Sequence, residues 1–268
     1  MGVRKYRRGI LLAIKGAGFI SNKLLNSNMT LDFAYTLYLI LASTPEIPKD
    51  QIKRFVQKWF VLSTLTSRYT ASPESQMHRD MQSIEEKGFL NFFAEIEASA
   101  LSESFWRVTL PQNLETSSVN SPGFRAFLAA QVYCHSDSLF MNGMEVRDLL
   151  LIAGDIHHIF PRAYLKKQGI DNRARYNQVA NYIYLDTQVN KAIGDQAPCE
   201  YFGKVIQQCE TKAPVLGNVV DTELLKRNLD ENCIPQAIHQ MDFTNYEEFL
   251  SQRRYLMAAK MEEYYRSL

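Results

Sequence analysis

Residues 49–69, KDQIKRFVQKWFVLSTLTSRY, carry Ile52, Phe55, Val56, Trp59, Phe60 and Leu65 at intervals close to 3.6. That period lines large apolar side chains along one stripe of a helix and leaves lysines and glutamines on the other. Such a stripe is buried only against another layer, and the flanking segments supply it. LDFAYTLYLILAS reads as a buried helix that must end before Pro45 and Pro48. SPESQMHRDMQSIEEKG opens with Ser72 as N-cap, has Pro73 at the first helical position and Glu74 in the first turn, and stops at Gly88. NSPGFRAFLAAQVYC repeats the device with Ser121 before Pro122. At the C-terminal end, Thr244 and Glu247 form a capping-box pattern. Tyr246, Phe249, Leu250, Leu256, Met257, Met261 and Tyr264 follow as one stripe, expected to be core.

Composition excludes several classes. With 268 residues, 46% of them hydrophobic and 22% charged, the chain is long enough for a substantial core. A net charge of +1 leaves no global footprint of nucleic-acid binding, although residues 1–31 hold Arg4, Lys5, Arg7, Arg8, Lys15 and Lys23 and no acid. That arm could meet phosphates, but a solvated basic end is the commoner outcome for such a run. Cys134, Cys199, Cys209 and Cys233 form no CxxC pair, which argues against a zinc ribbon or a disulfide framework. No uninterrupted apolar run reaches the roughly 18 residues of a membrane span, and the N-terminus lacks a cleavage site. A cytoplasmic protein with no membrane partner is expected.

The middle is built differently. MNGMEVRDLLLIAGDIHHIFP has a turn signal at Asn142-Gly143 and then a strand-like run; NYIYLD alternates as a short strand; TQVNKAIGD reads as a short helix with Thr187 as N-cap. A strand, an insert, a second strand and a helix thus carry Asp155, His157, His158, Asn181 and Asn190. This arrangement offers a cation two ligands and leaves an imidazole nearby. Phosphodiester hydrolysis asks for that set. A hard cation neutralises charge on the phosphoryl and departing oxygens, a base titrating near neutrality takes a proton from water, and Asn lends a carbonyl oxygen without repelling phosphate. Two satisfied structural histidines are the alternative for the pair taken alone.

DIHHIFP followed by ANYIYLDTQVNKAIGDQAP resembles the HNH, or ββα-metal, nucleases, and more specifically the C-terminal part of GmrSD-type modification-dependent restriction endonucleases. The helical KWFVLSTLTSRYTASPESQMHRDM resembles the family's segment in which an Arg-Tyr pair, Arg68-Tyr69, precedes an acid, Asp80. The resemblance implies that His158 is the general base and that His157, where many members have Asp, is a metal ligand. It implies Asn190 as second ligand, Asn181 as the residue that orients His158 across the hairpin, and Lys191 near a phosphate. Asp155 would share a face with His157 and is a further ligand candidate. One divalent cation, Mg²⁺ or Mn²⁺, is implied, and the histidine ligand lets Ni²⁺ or Zn²⁺ compete. Arg162, Lys166 and Lys167, with Arg173 and Arg175, form a basic insert able to track a nucleic-acid backbone, with a merely solvated insert as the alternative.

The expected architecture is mainly α with a small α+β insert. It comprises a helical domain (1–140), a ββα-metal module (141–205) and a C-terminal helical segment packing on the core (206–268). The expected function is metal-dependent hydrolysis of DNA in restriction or defence against foreign or modified DNA. Such family members carry a nucleotide-using N-terminal domain, which here would come from a separate domain or subunit; double-strand cleavage would call for a homodimer. The alternative is a non-catalytic DNA-binding or assembly module whose metal site is vestigial or structural.

Overall fold

Proline and glycine punctuate the first half where the sequence places them. The computed structural model describes residues 2–25, 28–152 and 154–268, with side chains from residue 9 onward. The side chains of Arg4, Lys5, Arg7 and Arg8 in the basic arm lie outside it. In chain order the helices begin with α1 (Gly2–Gly16), α2 (Asn28–Ser43), α3 (Lys49–Leu65), α4 (Pro73–Lys87), α5 (Phe89–Ala100), α6 (Leu110–Asn113) and α7 (Pro122–Tyr133). Then come α8 (Val146–Leu151), β1 (Ile156–His158), α9 (Arg162–Lys167), α10 (Arg173–Tyr176), β2 (Tyr182–Tyr184) and α11 (Thr187–Ile193). The chain finishes with α12 (Pro198–Thr211), α13 (Thr222–Glu231) and α14 (Tyr246–Ser267). The protein is mainly helical with one small antiparallel sheet, and no described helix is long and apolar enough to cross a membrane.

The chain forms two compact units: residues 1–110, 120–133 and 261–268, and residues 111–119 and 134–260. The expected module at 141–205 lies inside the second, together with 206–260.

In the first unit, α3 buries Ile52, Val56, Trp59, Phe60 and Leu65 against α1, α2, α5 and α7. Gly18 (φ +91°) runs so close to the Ala129 carbonyl that a Cβ would stand 2.0 Å from its oxygen, so only glycine fits. The turn after α3 is held by a buried polar knot. Arg68 Nε donates to Asp80 Oδ2 at 2.8 Å and its Nη2 to Oδ1; Tyr69 Oη donates to Oδ2 at 2.7 Å and Gln76 Nε2 to Oδ1 at 2.8 Å. Trp59 Nε1 closes the knot by donating to Tyr69 Oη at 3.2 Å.

The second unit corrects four local expectations. The run after Asn142-Gly143 begins as helix α8, and the strand shrinks to three residues, because Glu145 and Asp148 cap the helix reciprocally. Helix α11 is capped by Asp186, whose Oδ1 accepts from Gln188 N at 2.8 Å and Val189 N at 3.1 Å, so Thr187 is already helical. Before α14, Asp242 rather than Thr244 is the cap, pairing with Asn245 around a 3₁₀ turn. On α14 itself Leu256 is exposed. Arg253 takes a buried position because it lies near the centre of the stripe formed by Tyr246, Phe249, Leu250 and Met257, whereas Leu256 lies at the stripe's edge.

Candidate functional site

β1 and β2 pair antiparallel with Ile156 opposite Tyr184, His157 opposite Ile183 and His158 opposite Tyr182. The ladder is regular, so His157 and His158 project from opposite faces of the hairpin. The sheet has two strands, β1 and β2.

Beyond His158 the backbone is held tightly. Ile159 N donates to the Asn181 carbonyl at 2.9 Å. The fully buried Asn181 side chain accepts from Phe160 N at 2.8 Å and donates to Phe160 O at 3.1 Å and Tyr176 O at 3.2 Å. Tyr201 Oη donates to Ile159 O at 2.7 Å, and the Phe160 ring packs on Tyr246 and Phe249. From the other strand, the buried Arg253 donates through Nη1 to Ala180 O at 2.9 Å and Tyr182 O at 2.7 Å, and through Nη2 to Asn232 O at 3.3 Å. It forms no ion pair with a carboxylate among the described residues, and burial pushes its pKa down to about 10.

His158 is half-buried with Tyr182 and Tyr176 edge-on to its ring. Its Nε2 lies 2.9 Å from Asn177 Oδ1. That oxygen only accepts, so Nε2 carries the proton and Nδ1 keeps its lone pair. Burial lowers the His158 pKa against the opposing pull of the Asn177 hydrogen bond; Arg162 and His157 lower it further. The imidazole is thus neutral at neutral pH, with Nδ1 able to take a proton.

His157 on the opposite face presents a different signature. Its Nε2 is buried and has no hydrogen-bond partner, which costs free energy unless something else occupies the lone pair. Burial lowers its pKa, while Asp155 and Asp186 act in the other direction, so both carboxylates lie within electrostatic range. Asp186 uses only Oδ1 for the α11 cap. Asn190 stands four residues on, one turn along the same helix, and its side chain has no partner among the described residues. Among the described residues no three His, Cys, Asp or Glu side chains form a group able to hold a metal ion. Electrostatic range ties His157 to Asp155 and Asp186, and Asn190 lies on the helix that Asp186 caps.

Of the cations read from the sequence, Lys167 pairs with Asp195, Arg175 pairs with Glu247 at 2.8 Å and Lys166 lies over the Tyr176 ring at 5.4 Å. Arg162, Arg173 and Lys191 are exposed and form no ion pair among the described residues. Sequence reasoning missed Asn177 and Asp186. The second had a signal, an acid one helical turn ahead of Asn190; the first had none, since the insert must fold back before Asn177 reaches the histidine.

No family model matches the chain, and no solved structure matches it significantly. Among curated proteins it is similar to an uncharacterized protein, MJ0686, of Methanocaldococcus jannaschii, with 22% identity over 231 residues. The match takes in 78% of this chain and 37% of that protein, so the chain spans little more than a third of its relative's length.

Proposed function

We propose that this chain is a metal-dependent endonuclease that hydrolyses DNA phosphodiester bonds in defence against foreign or modified DNA. The observation that carries the reading is the buried, unpartnered Nε2 of His157, flanked by two carboxylates and followed directly by a neutral histidine with a free Nδ1. His157, Asn190 and Asp186 or Asp155 would hold one divalent cation, Mg²⁺ or Mn²⁺, which when bound supplies charge neutralisation at the phosphoryl oxygens. His158 Nδ1 takes the proton from the attacking water, and Asn177 fixes the tautomer that makes this possible. Asn181 holds the backbone that aims His158. Arg162, close enough to lower the His158 pKa, supplies positive charge beside the reacting phosphate. Lys191, exposed on α11, meets the backbone further out.

Supercoiled plasmid incubated with wild type, His158→Ala and His157→Ala in Mg²⁺, Mn²⁺ and Ni²⁺, with chelator controls, tests this. Nicking that requires metal and disappears in both variants is the expected result. DNA binding that survives His158→Ala, with no cleavage in any metal, would replace the enzyme by a non-catalytic DNA-binding module.

A further inference from the structure

A groove of about 570 Å³ opens on the His158 face of the second unit, between residues 117–119 and the start of α10. Its volume lies inside the roughly 300–1,000 Å³ range of small-molecule sites. Tyr182 and Asn177 line it from within, Arg173 and Asn172 from one rim, and Ser117 and Val119 from the other. Its inner lining is tied to the base: Tyr182 pairs with His158 across the hairpin, and Asn177 Oδ1 holds His158 Nε2.

The lining has fixed and free parts. Tyr182 Oη donates to Ser117 O at 3.1 Å, so the phenol is anchored, and Asn172 Oδ1 is occupied by Ala174 N at 2.8 Å. By contrast, the Arg173 guanidinium forms no ion pair among the described residues, unlike its neighbours Lys167 and Arg175. Burial raises the pKa of the Tyr182 phenol, and the charge of Arg173 acts against that rise, so the guanidinium lies within electrostatic range of the phenol. Asn177 has its carbonyl end on His158 and its amide Nδ2 without a partner among the described residues. Val119 is 40% exposed, an apolar patch on the opposite rim. An unpaired guanidinium, a free amide donor and an apolar patch around one cleft suit a phosphate on one side and a flat base on the other.

We propose that this groove binds one nucleotide of the strand to be cut, adjacent to the scissile bond, with its phosphate on Arg173 and Asn177 and its base against Val119. The position of that nucleotide next to the cut rests on the nuclease reading; the groove's affinity for a nucleotide phosphate does not. Because Asn177 touches both ligand and His158, occupancy of the groove also steadies the base.

Thymidine 3′,5′-bisphosphate serves as the probe, titrated into the full chain without metal and followed by calorimetry and by amide chemical shifts. Saturable binding is expected, with shifts clustered at residues 117–119 and 172–177, and a loss of about tenfold in affinity in Arg173→Glu. Arg173 is exposed, so the variant folds; matching circular dichroism verifies this. No binding, or equal binding by wild type and Arg173→Glu, overturns the groove, and plasmid nicking by the wild type would show that the nuclease reading survives. Bisphosphate binding by a protein that cuts no DNA in any metal keeps the groove as a nucleotide site and removes the nuclease reading.

Discussion

The Asn181 side chain accepts the Phe160 backbone N–H at 2.8 Å, two residues beyond His158, and returns a hydrogen bond to the Phe160 carbonyl. One buried amide thereby substitutes for a rung of the hairpin where the strands part. Asn181→Ala strands these backbone groups and the Tyr176 carbonyl in the interior. At about 1–3 kcal/mol per stranded group, a loss of roughly 2–4 kcal/mol is expected. Urea unfolding would show it as a lowered midpoint at unchanged slope, and an unchanged midpoint would refute the role.

Removing the unpartnered nitrogen of His157 tests its purpose. His157→Leu keeps an apolar filler and deletes the lone pair, so the metal-free variant is expected to be at least as stable as wild type. Wild type alone is expected to gain melting temperature on addition of Mn²⁺, since a cation that binds only the native state stabilises it. Equal shifts in the two proteins would place any bound cation elsewhere.

The Asp80 knot belongs to the first unit and predicts a stability effect there. Asp80 is 2% exposed and takes hydrogen bonds from Arg68, Tyr69 and Gln76. Asp80→Ala leaves a guanidinium and a phenol unpaired and is expected to cost roughly 3–5 kcal/mol, whereas the double change Arg68→Met with Asp80→Leu recovers much of it. Thermal unfolding of both variants decides; a single variant as stable as the double one would argue against the knot.

Alkaline pH is expected to unfold the protein. Burial raises the phenols of Tyr69, Tyr201, Tyr246 and Tyr265 above their ordinary value of 10.0. In the unfolded chain these groups ionise near pH 10, while in the fold they stay protonated. The stability they contribute is complete below pH 10 and is lost as pH rises past it. Arg253 works in the opposite sense, since its folded pKa of about 10 lies below the ordinary 12.5, but one guanidinium does not offset four phenols. Urea midpoints from pH 7 to 11, read beside tyrosinate absorbance, should hold level and then fall. A midpoint still level at pH 11 would contradict the account.

The helices of the first half were legible because Pro73, Gly88 and Pro122 act locally and Trp59 and its neighbours keep a clean period. β2 was legible too, from the alternation of aromatic and aliphatic residues, and all three of its residues are buried. What escaped depends on partners distant in sequence. Asn177 matters only once the insert closes onto His158. Arg253 gives no sequence signal as a core residue, since arginine is seldom fully buried, and its value lies in carbonyls about 70 residues upstream. The caps at Asp186 and Asp242 were missed by one or two residues because each has a threonine close behind that fits the same pattern.

The arginine on α14 also sets an order of events. Ala180, Tyr182 and Asn232, whose carbonyls it binds, are all synthesised before it, and so are Tyr201, Tyr246 and Phe249, which brace the segment after His158. A nascent chain that has not yet released residue 253 from the ribosome holds the strand pair without its last clamp. The segment around His158 is therefore completed only once residue 253 has emerged, after the helices of the first half have had time to pack.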